Sequence, residues 1–520
     1  MKKARHMKPA AKLLIIVAIV VAVLAALKFG AGYLPKGKGG KVKLDKQTAA
    51  LIKGGTPVVK VGVVTWGGYA GGQYWNLGFD ENKDSRYYTE CKILVKFLVM
   101  DDFDASRAAW KNGSVDLMWG TADSFPTEAG ALADENPKIV FQADWSRGGD
   151  AIVVRNGINS VSDLKGKTVA VAVGTPSHSF LIKTVSASNL KYTDIQVVEV
   201  PSAIDAAATF KAGQVDAAVV WSPDDSDCVK NVPGSKVLTS TKTATNIIAD
   251  IFFAKESYIQ SHQDELKCLV GGWLKGAAEV NASSDKKDEA AEILSKGLNI
   301  DKASALAAID NTRLATYGDN LNFFGLDPAY TGVTGEDLYT EMFRMYSQTK
   351  RSDGTLVISG TVPPWRNIAD PSIVASLDLP KDTAMTSAEP EKVFEPAKPA
   401  DVSKPAIASK ALTITFDTGS SQLDENAKAI IDMNFVSVAK SFGNARIRIE
   451  GNTDNVGDAN SNLLLSQRRA EAVANYLIER YGFDRNRFMI MGNGQTKPIA
   501  DNATADGRAM NRRTDFEIVE

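Results

Sequence analysis

Hydrophobic and polar positions divide this chain into stretches of different period. Residues 13–27, LLIIVAIVVAVLAAL, are apolar without a break. From residue 58 onward, short β-branched runs alternate with segments of helical period. VVKVGVVTW (58–66), CKILVKFLV (91–99), VDLMWG (115–120), AIVVR (151–155), KTVAVAV (167–173), IQVVEV (195–200) and VDAAVVW (215–221) predict strands. Residues 104–112, 177–188 and 203–212 predict the helices between them, and 262–350 reads as helical almost throughout. Strands alternating with helices predict open, mostly parallel sheets, whose ligands bind beyond the carboxyl ends of the strands. A stretch holding Pro380, Pro390, Pro396, Pro399 and Pro405 among Ala, Lys and Glu follows. That composition predicts a semi-rigid, extended linker, about 90 Å long at full polyproline extension. The last segment, 411–520, places a β-like run at Ile447–Glu450 before a long helical pattern.

The apolar run rises about 22 Å as a helix, short of a ~30 Å hydrocarbon core. Lys28 can snorkel and residues 29–34 extend it, so 13–34 is expected to anchor the chain in a membrane. Lys2, Lys3, Arg5, Lys8 and Lys12 precede it without an acidic residue, which predicts a cytoplasmic tail at 1–12. The alternative is a cleaved signal peptide, but no polar segment separates a cut site from the apolar run. Residues 35–57, rich in Gly and Lys, read as a tether.

Composition narrows the field. The chain has 520 residues, 44% hydrophobic and 23% charged, room for about three domains. A net charge of −2 gives no reason to expect nucleic acid as a partner. The three cysteines, Cys91, Cys228 and Cys268, lack metal-ligand spacing. Unpaired thiols are the first expectation and a Cys228–Cys268 bridge the second. No Gly-x-Ser-x-Gly elbow, HExxH helix or phosphate loop occurs, and His178 reads as a surface histidine at a helix start. The sequence therefore predicts a binding protein without cofactor or metal.

Asp454 sits in a Thr-Asp-Asn turn after the β-like run. Asn462, Ser466 and Arg469 then share one helix face at i, i+4 and i+7. A carboxylate beside a guanidinium can grip a small zwitterion. With ITFDTGSSQLDENAK, TDNVG, LSQRRA, MGNGQTKPIADN and GRAMNRR, roughly Leu412–Val519 resembles the OmpA-like peptidoglycan-binding domain. The resemblance implies an α+β domain at 411–520 that holds the diaminopimelate stem of peptidoglycan. Asp454 and Arg469 would be its principal contacts, with Asn462, Asn511 and Arg513 completing the site; Asn511, Arg512 and Arg513 match the family's closing Asn-Arg-Arg. Asn452 stands where the family usually has His, a position expected to be structural.

Two middle phrases, SVSDLKGKTVAVAVGTPSHSFL (160–181) and AIDAAATFKAGQVDAAVVWSPD (203–224), resemble the periplasmic binding proteins of nitrate, sulfonate and taurine-type ABC transporters. WKNGSVDLMWGTADSFP (110–126) repeats the Gly-x-Val-Asp pattern. The resemblance implies a two-lobed type II α/β fold over 58–379, with a helical extension packed on the first lobe. It implies a small-molecule solute and an ABC permease as partners. The implied cleft residues are Trp66, Gly67 and Tyr69, Gly120 and Thr121, Thr175, Ser177 and His178, and Trp221 and Asp224. Trp66, Trp75, Trp119 and Trp221 either pack the lobe cores or make the cleft partly aromatic. Aromatic rings with an inward Asp224 or Asp225 would favour a cation, whereas a helix start at Thr175 would favour an anion; the residues leave both open.

The whole thus reads as an inner-membrane-anchored envelope protein with most of its chain in the periplasm. The alternative is a wall-tethered scaffold or sensor whose binding domain does not serve transport. The layout also resembles flagellar stator and energy-transducing proteins, but 13–27 lacks the ionisable residue a proton-driven stator needs.

Overall fold

The computed structural model describes residues 44–379, 387–414, 416–417 and 419–520. The expected cytoplasmic tail, the anchor at 13–34 and residues 35–43 of the tether lie outside the described residues; the rest of the expected tether differs from a plain linker, because Lys46–Lys53 form a helix. Among the described residues, no helix is long and apolar enough to cross a membrane.

The chain builds β1 (Val58–Val63), β2 (Leu94–Val99), β3 (Leu117–Thr121) and β4 (Pro137–Ser146) in a first lobe. It crosses to a second lobe for β5 (Asp150–Val154), β6 (Thr168–Val171), β7 (Gln196–Glu199), β8 (Ala217–Trp221) and β9 (Lys236–Ser240), then returns as β10 (Ala249–Lys255) and β11 (Thr312–Leu314). The sheet orders are β11-β4-β10-β3-β1-β2 and β7-β6-β8-β5-β9. β1 runs parallel to β2 and β3, and β6 parallel to β7 and β8, as the alternation predicted. The other pairs are antiparallel, β10 with β3 and β4, β11 with β4, and β5 with β8 and β9, so the sheets are mixed rather than mostly parallel: each crossing between the lobes reverses the strand direction. Thr241 ties the two crossings together. Its hydroxyl meets that of Ser146 at 2.9 Å and accepts the Gly148 N–H at 2.8 Å.

The repeated Gly-x-Val-Asp phrase has a structural cause in both lobes. Each copy ends a helix, 103–111 or 203–211, capped at its start by Asp102 or Ser202. Gly113 and Gly213 then take φ of +76° and +80°, where a side chain would be strained. Val115 and Val215 enter the core. Asp116 accepts the Lys60 N–H at 2.8 Å and Asp216 the Thr168 N–H at 2.9 Å, pinning the next strand beside its neighbour.

Helix α1 (Pro176–Ser186) leaves the end of β6, and α2 (Gln263–Ala282) packs on the first lobe, as the resemblance implied. Gly71 and Gly276 permit that contact: a Cβ on Gly276 would meet the Gly71 carbonyl oxygen at 2.2 Å. Helix α3 (Gly335–Tyr346) reaches the second lobe, where the Tyr346 hydroxyl meets Ser179 Oγ at 2.6 Å.

The carboxyl-terminal domain has β12 (Ala408–Leu412), β13 (Arg446–Asn452), β14 (Phe488–Gly494) and β15 (Thr514–Val519) in the order β12-β15-β13-β14, backed by α4 (Ala459–Tyr481). One continuous apolar core joins this domain to the second lobe, running from Ile152, Val161 and Leu164 to Ile407, Leu412, Phe442 and Ile447. Val161 N–H donates to the Ile407 carbonyl at 2.7 Å. The fully buried Lys183 of α1 ion-pairs with Glu341 of α3 at 2.8 Å and donates to Ser437 of the carboxyl-terminal domain at 2.7 Å.

The proline-rich stretch therefore differs from an extended spacer where it is described. Glu389 pairs with Arg147, its N–H donates to Asp319 at 2.6 Å, and Phe394 is buried against Arg446 and Arg487. Strand β12 begins at Ala408, so an extended linker cannot run to residue 410. Alanine and proline content predicted reach; Phe394 and the charged pairs decided instead that the segment lies on the surface.

The cysteines also correct the expectation. Cys91 and Cys268 form the disulfide, tying helix Arg86–Cys91 to α2, and Cys228 is the buried free thiol. Cys228 sits in the core of the second lobe, away from the surface of the first where Cys268 pairs. Closing a loop of 177 residues should stabilise the first lobe by about 2–4 kcal/mol. Replacing both Cys91 and Cys268 with Ser should lower the melting temperature by several degrees in calorimetry, and reduction of the native protein should do the same.

Candidate functional site

The carboxyl-terminal constellation begins with close packing. Gly451 on β13 and Gly492 on β14 bring the sheet against α4; a Cβ on Gly451 would meet the Ser466 carbonyl oxygen at 2.1 Å. Ser466 Oγ accepts the Gly494 N–H at 2.9 Å. This contact sets the height of Asn462 and Arg469 above the strand ends. The Asp454 turn is braced from inside, with its Oδ1 accepting the Val456 N–H at 3.1 Å. Asn462 Nδ2 donates to the Val456 carbonyl at 3.1 Å and to Gln495 Oε1 at 3.2 Å.

Asp454 Oδ2 pairs with Arg512 at 2.6 Å. Arg469 lies within electrostatic reach of this pair. Burial first, then the Arg512 charge, lowers its pKa, and Asp454 opposes them. Arg469 Nε donates to the Ser420 carbonyl at 3.0 Å, and its guanidinium lies 4.7 Å from the centre of the Phe416 ring. Among the described residues, its hydrogen-bond partners are backbone carbonyls rather than a carboxylate.

Two expected contacts are turned away from this spot. Asn511 is fully buried; its Oδ1 accepts the N–H groups of Ile499 and Ala500, and its Nδ2 donates to Ala500 and Asn502. It pins a loop and has no exposed group for a ligand. Arg513 is buried against Asp515 at 2.9 Å. Residues 513 and 515 point to the same side of an extended chain and 512 to the other. That alternation makes Arg512 the neighbour of Asp454. Asn452, buried and donating to Asp515 at 2.9 Å, is structural.

The second site lies between the lobes, where Val64, Trp66, Trp119, Thr121, Asp150, Pro176, Trp221, Ile248 and Asp250 line a narrow cavity of about 20 Å³. Trp66, Thr121 and Trp221 thus stand where the sequence reading placed them. Gly120 packs toward Phe125, Ile251 and Phe253 in the core. Thr175 turns its hydroxyl back to the Ala172 carbonyl at 2.7 Å. Ser177 is fully buried, and its hydroxyl lacks a partner among the described residues. Asp224 stands in the first turn of a helix, close enough to feel the Lys211 charge, and does not line the cavity. Trp75 lies in the first-lobe core beneath Arg86, 3.2 Å from its ring centre.

His178 is buried rather than at the surface. Its Nδ1 accepts the Gly174 N–H at 3.1 Å and its Nε2 meets the Tyr192 hydroxyl at 2.7 Å. Burial, aided by the Arg351 charge, lowers its pKa to about 3, so it stays neutral.

Sequence reasoning missed a set of buried aspartates around the cavity. Asp144 on β4 faces Asp250 on β10 in direct antiparallel register. Trp66 Nε1 lies 3.3 Å from both Asp144 oxygens, and the Tyr69 hydroxyl donates to Asp250 at 2.6 Å. Asp150 Oδ2 accepts the Ser146 hydroxyl at 2.9 Å. Asp123 follows β3, and neither of its oxygens has a partner among the described residues. Desolvation pushes Asp123 and Asp150 up to about 7 and raises Asp144 and Asp250 as well. The signal was available: each of Asp144 and Asp250 interrupts an otherwise apolar strand, FQADWS and ADIFFAK.

Residues 415–512 match the OmpA family, and residues 148–286 match the family described as NMT1/THI5 like. The chain is similar to outer membrane porin F of Pseudomonas aeruginosa, with 40% identity over 117 residues, 22% of this chain and 33% of the porin. The chain thus spans about a third of that relative's length. Peptidoglycan-binding protein ArfA of Mycobacterium tuberculosis is 28% identical over 246 residues, 46% of this chain and 72% of ArfA. Among solved structures, the periplasmic aliphatic sulphonate binding protein SsuA from Escherichia coli aligns with a TM-score of 0.40 and 20% identity, over 49% of this chain and 83% of SsuA. The chain thus carries a segment that matches the NMT1/THI5-like family and, after it, a segment that matches the OmpA family.

Proposed function

We propose that this protein is a non-enzymatic component of the cell envelope that holds peptidoglycan through its OmpA-family domain and a small solute through the cleft between its lobes. What supports the first half is the Asp454–Arg512 pair within electrostatic reach of Arg469, whose hydrogen bonds among the described residues go to backbone carbonyls. A diaminopimelate stem offers an ammonium for the Asp454 carboxylate and a carboxylate for the guanidinium fork of Arg469. Asn462 braces the turn that holds Asp454, and Arg512 occupies the carboxylate until the ammonium arrives. The name of ArfA, a peptidoglycan-binding protein, supports the same reading.

The Cys91–Cys268 disulfide supports an oxidising compartment such as the periplasm. Residues 13–34 would fix the chain in the inner membrane, with the basic tail inside the cell. An ABC permease would be the partner if the solute is delivered. A second reading, a wall-tethered scaffold or sensor, is favoured by the core shared between the second lobe and the OmpA-family domain. A solute-binding lobe fastened to a wall-binding domain cannot travel to a permease as a free carrier does.

Asp454→Ala or Arg469→Ala should reduce co-sedimentation with purified sacculi at least tenfold while the circular dichroism spectrum stays unchanged; undiminished sedimentation would remove these residues from the site. A reporter fused to the carboxyl terminus should report the periplasm, and a cytoplasmic signal would overturn the topology.

A further inference from the structure

The chemistry of the cleft distinguishes between solute classes. Three indole rings, Trp66 and Trp119 from the first lobe and Trp221 from the second, enclose it together with the carboxylates of Asp150 and Asp250. No lysine, arginine or histidine is among the residues that line it. The neighbouring cations are engaged elsewhere. Arg107 lies 5.1 Å from the centre of the Trp119 ring but binds Glu128 through two hydrogen bonds, of 2.6 and 2.8 Å. Arg147 pairs with Glu389.

A second observation is independent of the acidic cluster. Asp150 is 2% exposed, and its Oδ1 has no hydrogen-bond partner among the described residues. Trp119 Nε1, equally buried, has none either. A buried polar atom left unpaired costs about 1–3 kcal/mol, more when charged, so an unpaired carboxylate oxygen in a ligand cavity calls for a donor from the ligand. Asp144 and Asp250, directly opposed on adjacent strands, can both ionise only against like-charge repulsion, which a bound cation would offset.

The feature that favoured an anion, the start of α1, presents fewer free donors than a helix start can. Pro176 has no N–H and faces the cavity with its ring. The N–H groups of His178 and Ser179 both donate to the Thr175 carbonyl.

We propose that the cleft binds a small ammonium cation, held by the faces of Trp66, Trp119 and Trp221 and by the carboxylates of Asp150 and Asp250. This rests on the reading of the two-lobed region as a solute-binding domain. Ring faces attract such a cation through their negative quadrupole, most strongly where water is excluded. The small volume restricts the enclosed part to a headgroup.

The test titrates the full-length protein, in detergent, with methylammonium, tetramethylammonium, ethanesulfonate and nitrate at constant ionic strength, with sodium chloride as the control. Tryptophan fluorescence and melting temperature are the readouts. One of the two ammonium probes should give a saturable fluorescence change and raise the melting temperature, and the preferred one tells whether N–H donation or methylation is read. Asp150→Asn and Trp221→Ala should each weaken that binding at least tenfold, with melting curves showing that both variants fold. Saturation by ethanesulfonate or nitrate instead would overturn the cation assignment and leave the solute-binding domain standing. Absence of saturation by either ammonium probe would also overturn it. If a metabolite pool passed over the protein then leaves nothing bound by mass spectrometry, the solute-binding reading falls too.

Discussion

Everything at the cleft depends on how the chain passes between the lobes. It crosses after β4 and again after β9, and the Thr241 hydroxyl fastens both crossings through Ser146 and Gly148. That knot fixes where β5 and β10 begin, and their first residues carry the carboxylates. Asp150 opens β5, and Asp250 is the second residue of β10. Register then sets Asp250 against Asp144. The charges are thus placed by backbone pairing and cannot swing away to solvent. A fold of marginal stability keeps such a cluster only if the cost is offset elsewhere. The apolar cores of the two lobes and the Tyr69, Trp66 and Ser146 donors supply that offset.

The carboxyl-terminal domain obeys a different constraint. Its first strand pairs with β15, and the residues just before it join the second lobe through the Ile407 carbonyl. The shared apolar core and the buried Lys183 make the contact extensive. Removing Lys183 alone would leave Glu341 without its counter-charge in a largely buried site, which is far more costly than losing an exposed pair. The constellation at Asp454 lies at the end of β13, whose other end is near the β12 junction. The same sheet therefore connects the docking surface to the constellation.

Much of this was legible in the sequence, and the failures share a cause. Periodicity located every strand singled out in the two lobes, because β-branched runs must be buried on both faces of a sheet flanked by helices. The Gly-x-Val-Asp repeat was legible because each residue in it has a local duty. Asn462, Ser466 and Arg469 were legible as one helix face because helix spacing sets it. Arg513 was named for the site and Arg512 passed over, because only the course of the chain into β15 tells them apart. Asp144, Asp150 and Asp250 were not legible as a group, since they lie on three strands brought together by crossings about 95 residues apart. The Cys91–Cys268 pair is another long-range contact, with 177 residues between its members. Composition suggested that residues 380–410 were free, yet it cannot register a single buried phenylalanine such as Phe394.

Helix α1 links these two halves. Its start contributes Pro176 to the cavity, and seven residues later Lys183 reaches α3 and Ser437 of the carboxyl-terminal domain. The Ser179 hydroxyl, between them, meets Tyr346 of α3. A rigid helix of this length transmits a displacement of its first turn to its last with little loss. Closing of the lobes on a solute would move Pro176 relative to Trp66 and Trp119, and the second lobe carries the OmpA-family domain with it through the common core. In such a body the proposed wall contact and solute contact would not be independent modules on a string. If the wall held the carboxyl-terminal domain, the continuous core would hold the second lobe with it, and the first lobe would do the moving.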